Sequence, residues 1–271
     1  MTIDPKLERK TFGKIDVPVP VLGMGTWQLG GFGDDPVPAM RRGIELGMTL
    51  IDTAEAYGSG RSERLIKEAI EGFDRSRLFL VSKVRESRPT REDILKAAQS
   101  SVERLGTTMD LYLLHWPPTD RGLKERMKGL EDVARQGLTK YIGVSNFTVE
   151  LIEEARSYLS NIDIAAVQNR MSIMHHPDLA TVVPYAQREG MMYMAYSPLE
   201  RGQLGELTTA PRIESVAKQY GKTGVQVALN WLICVDPVVP IPKAGKMKHI
   251  EEDAGAIGWR LSREDWASLN S

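Results

Sequence analysis

The sequence predicts an α/β fold, a (β/α)8 TIM barrel, and three observations carry that expectation. Short apolar or β-branched runs alternate with longer stretches of helical period along nearly the whole chain. The runs are apolar throughout, as in strands that helices cover on both faces of a parallel sheet. There are eight of them, enough to close a barrel, with an open doubly wound sheet as the competing arrangement. At 271 residues the chain suits one barrel of about 250 residues or just under two average domains. No low-complexity linker, charge block or shift in composition divides it, so residues 1–271 are read as a single domain.

The elements follow in order. Residues 6–17, with Gly13 at a turn, read as a short hairpin placed to plug the barrel bottom. The first barrel strand is expected over 19–24 and the first helix over 37–46, ended at Gly47. The next strands lie at 49–52, 78–83 and 110–115, the last containing Leu111, Leu113 and Leu114. Helices over 62–71, over 91–105 before Gly106, and over 123–135 follow them in turn. Strands at 141–144, 164–168 and 192–196 are separated by helices at 149–159 and 179–188. Helical pieces at 212–220 and 224–233 lead to a last strand at 238–241. A helix over 248–256 and a short one from about Ser262 complete the set as extra C-terminal helices.

Composition narrows the function. With 42% hydrophobic and 26% charged residues the chain can bury a core. A formal net charge of −1 offers no bulk attraction to nucleic acid or to an anionic membrane. The single Cys234 excludes an intrachain disulfide and a cysteine-built metal site. The N-terminus lacks the apolar core of a signal peptide, and no apolar run reaches the ~18 residues of a spanning helix. A cytoplasmic protein without membrane or nucleic-acid partner is expected, working as a monomer on a small molecule.

In a parallel barrel the active site gathers at the C-terminal strand ends. Those positions hold Gly25, Thr26 and Trp27; Asp52 and Tyr57; Lys83 and Arg85; His115 and Trp116. Beyond them come Ser145 and Asn146, Gln168 and Asn169, Tyr196, Ser197 and Arg201, and Lys243. A carboxylate, a phenol, an ammonium and an imidazole thus converge from adjacent strands. Free tyrosine, with pKa near ~10, is a weak acid at neutral pH. A Lys83 cation favours its phenolate, which predicts a lowered pKa and a better proton donor in Tyr57. Asp52 would keep Lys83 charged and aimed, and His115 would orient or polarise an oxygen beside the phenol. The set suits delivery of a proton to a developing alkoxide.

Other features have plainer readings. Gly23-Met24-Gly25 has Gln28 where a dinucleotide loop needs its third glycine, so a tight turn at the barrel mouth is expected. His175 and His176 are adjacent, so their side chains diverge, and no metal site is expected. Cys234 reads as a small buried hydrophobe, and Met191, Met192 and Met194 as core filling.

The strand-end residues sit in longer motifs: Asp52-Thr53-Ala54-Glu55-Ala56-Tyr57-Gly58, Ser82-Lys83-Val84 and Asp110-Leu111-Tyr112-Leu113-Leu114-His115-Trp116-Pro117. Gly143-Val144-Ser145-Asn146-Phe147 and Ala195-Tyr196-Ser197-Pro198-Leu199 follow. In this order on successive strands, from Leu22 to the helix after Lys243, the chain resembles the aldo-keto reductase superfamily. The resemblance implies NAD(P)H-dependent reduction of aldehydes and ketones by hydride transfer from nicotinamide C4. It implies a catalytic tetrad of Tyr57, Asp52, Lys83 and His115, with Tyr57 as the acid.

It also implies a cofactor site for NADPH/NADP+, with NADH possible. Gly25, Thr26, Trp27 and Asp52 would border it, and Ser145, Asn146 and Gln168 would bind the carboxamide. Tyr196 would stack on the nicotinamide, and Ser197, Pro198, Leu199, Arg201 and Gly202 would run along the pyrophosphate. Lys243 would approach the adenosine 2′-phosphate, followed by Ala244 and His249, with Glu252 and Asp253 facing the adenine. Trp27, Phe32, Ala56, Arg85, His115 and Trp116 are the expected substrate contacts, with Arg85 either pairing with an anionic group or simply pointing to solvent.

Two departures from the family pattern matter: the pair Ala244 and His249, and Arg85, which lies two residues after Lys83 where relatives often have an aromatic or a small polar residue. Relatives that favour NADPH commonly carry Ser or Thr at the position of Ala244, and Arg at that of His249. Losing a hydroxyl donor and a bidentate cation predicts a smaller NADPH preference. Two other functions share the fold: a cofactor-sensing regulatory subunit, and a lyase with a Schiff base at Lys83. The brief loop after the fourth strand and the short tail after Trp266 predict an open, permissive site.

Overall fold

Parallel strands in chain order build the barrel, and the closure of that sheet rests on two glycines. The computed structural model describes residues 8–31, 33–200, 211–243 and 245–270. An antiparallel hairpin, β1 (Arg9–Phe12) and β2 (Ile15–Pro20), precedes the sheet. The sheet runs β3 (Met24–Gly25), β4 (Leu50–Asp52), β5 (Phe79–Val84), β6 (Met109–Leu114), β7 (Thr139–Ser145), β8 (Ile164–Arg170), β9 (Met192–Tyr196) and β10 (Val238–Pro240). Its ends meet where Gly23 N donates to Pro240 O at 3.0 Å and Gly25 N to Pro242 O at 2.7 Å. A parallel bridge joins Gly25 to Lys243. A Cβ on Gly25 would stand 2.9 Å from Ile241 O, so a side chain there would force the closing strands apart.

Helices α1 (Pro36–Glu45), α2 (Arg61–Ile70), α3 (Arg91–Leu105), α4 (Leu123–Arg135), α5 (Val149–Ser157) and α6 (Val182–Arg188) alternate with the strands. Then α7 (Pro211–Tyr220) and α8 (Gly224–Ile233) precede β10, and α9 (Met247–Ala254) and α10 (Arg263–Ser268) follow it. Helix starts are set by local chemistry. Thr90 with Asp93, and Thr223 with Gln226, form reciprocal capping boxes. Gly106, at φ 70°, stops α3 in the left-handed conformation.

Two of the expected elements need correction. The first strand expected over 19–24 is divided, because Val19 and Pro20 belong to the hairpin and the barrel strand is Met24–Gly25. Pro18 and Pro20 lack the N–H that a strand interior must donate, which confines this segment to an edge. The helix expected over 179–188 is two pieces, a 3-10 turn at Pro177–Ala180 and then α6, broken where Thr181 adopts φ −131°, ψ −82°.

A period of two along each strand sorts the core. Leu50, Phe79, Val81, Leu111, Leu113, Ala166, Met192, Met194, Val239 and Ile241 pack together inside the barrel. Ile15 and Val19 of the hairpin join this cluster, and Lys14 N bonds Gly190 O just ahead of β9, so the hairpin plugs the bottom. The alternate positions, such as Leu80, Tyr112, Leu114 and Val167, pack outward with the helices. Met191, Met192 and Met194 are buried, as expected of core filling. Cys234 differs from expectation. It ends α8 half-buried, its Sγ 3.4 Å from Asn230 Oδ1.

Candidate active site

The same period of two delivers polar side chains to the top of the barrel. Continuing each inward row, Leu50 leads to Asp52, Val81 to Lys83, Leu113 to His115, Gly143 to Ser145, Ala166 to Gln168 and Met194 to Tyr196. Apolar residues below and polar residues above therefore come from one pattern on one face. Tyr57 enters from the β4–α2 loop, where Tyr57 N bonds Ala54 O at 3.0 Å in a tight turn.

Lys83 is fully buried, and its ammonium spends its donors on three oxygens: Asp52 Oδ2 at 2.7 Å, Thr53 O at 2.8 Å and Tyr57 Oη at 3.3 Å. Asp52 is 2% exposed, and its other oxygen accepts from Gln168 Nε2 at 2.8 Å. The His115 ring meets the Tyr57 ring edge-on, with centroids 5.7 Å apart. Behind it, Asn146 Nδ2 donates to His115 O and Ser145 Oγ, while Tyr196 Oη donates to Asn146 Oδ1 at 2.8 Å. Ser145 Oγ in turn donates to Gln168 O at 2.7 Å.

The electrostatics follow from this packing. Burial works against the charge on Lys83, but Asp52 and the Tyr57 oxygen outweigh it and hold the ammonium above its ordinary value. Burial pushes the Asp52 carboxyl up, while Lys83 and Gln168 pull it back. With a 2.7 Å contact to an ammonium that stays protonated, we take the pair as ionic. Burial, then the nearby Lys83 and Arg85 cations, bring the His115 imidazole down to about 3, so the ring is neutral.

Tyr57 corrects the expectation of a lowered pKa. Burial raises the phenol and the Asp52 charge adds to it, so Lys83 offsets the rise without reversing it. The phenol is therefore fully protonated at neutral pH. Lys83 remains 3.3 Å away, placed to receive the phenolate that proton donation leaves.

These residues open into a cavity of about 810 Å³, a size suited to small-molecule binding. Gly25, Thr26, Trp27, Asp52, Ala56, Tyr57, His115, Trp116, Ser145, Asn146, Gln168, Tyr196, Ser197, Pro198 and Leu199 all line it. So do Lys243, His249, Glu252 and Asp253. Trp27 and Trp116 are 37% and 47% exposed, unusual for the largest apolar side chain and fitting for the rim of a site that binds apolar groups. Lys243 Nζ is paired with Asp34 Oδ2 at 3.1 Å.

Other expected residues fall elsewhere. Arg85 is exposed and absent from the cavity lining. The strand ends at Val84, and the Arg85 backbone N donates to Glu55 Oε1 at 2.9 Å, while the Arg85 cation stays near enough to His115 to lower its pKa. Phe32, Arg201, Gly202 and Ala244 lie outside the described residues. The sequence reading also missed lining residues: Gln28, Val225, Ile241 and Pro242. The Thr223–Gln226 capping box was the available signal for Val225, since it marks the first turn of α8.

Comparison with known proteins decides the family. The model of the aldo/keto reductase family matches residues 21–271. The chain belongs to the aldo/keto reductase family. This aldo-keto reductase is 34% identical over 262 residues to the methylglyoxal reductase YeaE of Escherichia coli, covering 94% of this chain and 91% of the relative. A solved thermostable aldo-keto reductase, Tm1743, in complex with the inhibitor epalrestat, is 38% identical with a TM-score of 0.90, covering 97% of this chain and 99% of that one. An aldo-keto reductase from Klebsiella pneumoniae in complex with NADPH is 33% identical with a TM-score of 0.87, covering 97% and 94%. Family membership makes the chain an oxidoreductase acting on carbonyl groups, and the expected (β/α)8 architecture is the one found.

Proposed function

We propose that this aldo-keto reductase, its whole chain one barrel domain, reduces small aldehydes, ketones and dicarbonyls to alcohols with NADP(H). One observation carries the reading. A neutral, proton-loaded Tyr57 hydroxyl stands at the cavity floor, 3.3 Å from an ammonium and beside a neutral imidazole. A carbonyl oxygen over Tyr57 would meet a proton donor there, and neutral His115 would add a second polar contact without a competing charge. As the proton leaves Tyr57, Lys83 stabilises the phenolate, and Asp52, anchored by Gln168, keeps Lys83 in place.

The residues present fit the cofactor that the Klebsiella relative binds. Asp253 is 3% exposed, lines the cavity and has no side-chain hydrogen-bond partner among the described residues. Burial and the neighbouring Glu252 hold it well above the usual carboxylate range. A carboxyl so placed awaits a polar ligand edge such as a purine. Ser145, Asn146 and Gln168 would hold the carboxamide, the Tyr196 ring would support the nicotinamide, and Ser197, Pro198 and Leu199 would follow the phosphates. Lys243 would face the 2′-phosphate, with a margin over NADH reduced by His249 and Ala244. Bound there, NADPH supplies the hydride. No described helix is long and apolar enough to cross a membrane, and we read the protein as a cytoplasmic monomer independent of nucleic acid.

Replacing Tyr57 with Phe tests the reading. Multiple-turnover reduction of methylglyoxal should fall about 10²–10⁴-fold, with NADPH binding retained. Loss of binding, or unchanged turnover, would overturn the acid role. The same assay separates a cofactor-sensing subunit, which would not turn over. A borohydride-trapped adduct on Lys83 would instead establish the lyase. The hydrogen-bonded, charged state of that amine opposes it, because a Schiff base needs the free base.

A further inference from the structure

The ion pair between Lys243 and Asp34 places a fixed anion beside the cation assigned above to the cofactor's 2′-phosphate. Asp34 lies in the loop between β3 and α1, 209 residues from Lys243 in sequence. The two partners are unequally held. The Asp34 side chain is 8% exposed, and its Oδ2 also accepts from Gly30 N at 3.2 Å. Its own backbone N bonds Gly31 O at 3.1 Å, and the next residue's N bonds Gly245 O at 2.9 Å. The backbone of Gly245 abuts the carboxylate so closely that a Cβ there would lie 2.2 Å from Asp34 Oδ2. Lys243 is 38% exposed and lines the cavity. The carboxylate is therefore built into its loop, and the lysine is the partner free to turn toward a ligand.

We propose that Asp34 competes with the 2′-phosphate of NADP(H) for the Lys243 ammonium, and so sets how strongly this enzyme prefers the phosphorylated cofactor. A phosphate that approaches Lys243 must displace this carboxylate or share the ammonium with it, and like charges sharing one cation repel. NADH has no group there and meets no such cost. Asp34 thus acts on the discrimination between the two cofactors rather than on the reaction. The inference rests on the reading of Lys243 as the 2′-phosphate contact.

Fluorescence titration with NADPH and NADH, and calorimetry with adenosine 2′,5′-bisphosphate, test it on the whole chain and on D34N, K243M and the double variant. Asn keeps an oxygen for Gly30 N, so the loop retains its anchor. D34N should bind NADPH and the bisphosphate about fivefold more tightly, the scale of one partly exposed charge pair, with NADH affinity unchanged. K243M should weaken NADPH and leave NADH alone, and the double variant should match K243M. If K243M loses NADPH affinity but D34N gains none, the competition is overturned while the Lys243 assignment stands. If K243M binds NADPH as the parent does, Lys243 does not meet the phosphate, and both assignments fall together.

Discussion

Gln168 Nε2 donates to Asp52 Oδ1 at 2.8 Å, so the carboxylate that holds Lys83 is itself held from the opposite side of the barrel. Strand β8 thereby braces a residue at the end of β4, and both carboxylate oxygens are engaged. With Lys83 fully buried, Asp52→Asn would leave an ammonium without its counter-charge. Such a loss costs about 3–5 kcal/mol. Urea unfolding should report a destabilisation of that order, together with collapse of reductase activity.

The His115 imidazole gives a pH prediction with a definite sign. Its folded value of about 3 lies below the ordinary 6.5. Between those values the unfolded chain binds the additional proton, so folding stability falls as pH drops from about 6.5 toward 3. His115→Phe should flatten this decline in chemical unfolding across that window. NMR of the ring should show no titration between about pH 5 and 8, where an unperturbed histidine changes charge.

Tyr57 predicts the alkaline side. Because burial raises the phenol above its ordinary 10.0, proton donation should not become limiting below that pH in the enzyme alone. The rate of reduction per turnover should hold its plateau up to at least about pH 9. A stopped-flow profile of the first turnover that breaks near neutrality would show that another group supplies the proton.

Gly143 marks where the barrel tolerates no side chain. A Cβ there would lie 2.4 Å from Ala166 O and 2.5 Å from Leu113 Cδ2. Gly143→Ala must push β7 off β8, which carry Ser145 and Gln168. Overpacking of this kind costs about 1–3 kcal/mol. Thermal unfolding should show the loss, and activity should fall with it.

Much of this was legible in the chain because local chemistry and tertiary position agree. The capping residues Thr90 and Thr223 mark helix starts, and the inward row Leu111, Leu113, His115 carries one pattern from core to site. What escaped depends on contacts that no local pattern encodes. The partnership of Asp34 with Lys243 joins positions 209 apart. The raised phenol of Tyr57 follows from burial, and a list of neighbouring charges does not reveal how much water the fold removes.

The seam at Gly25 bears on how the molecule is made. Its two sides are the barrel's first and last strands, joined by Gly23 N to Pro240 O and Gly25 N to Pro242 O. During synthesis the β3 edge waits, with unpaired backbone groups, until β10 and the residues just after it have been translated. A nascent chain stalled before Val238 would present open sheet edges at both ends, the kind of surface that recruits chaperones or aggregates. Circular permutation that makes β3 and β10 neighbours in sequence should shorten this interval, and refolding yield should rise with it.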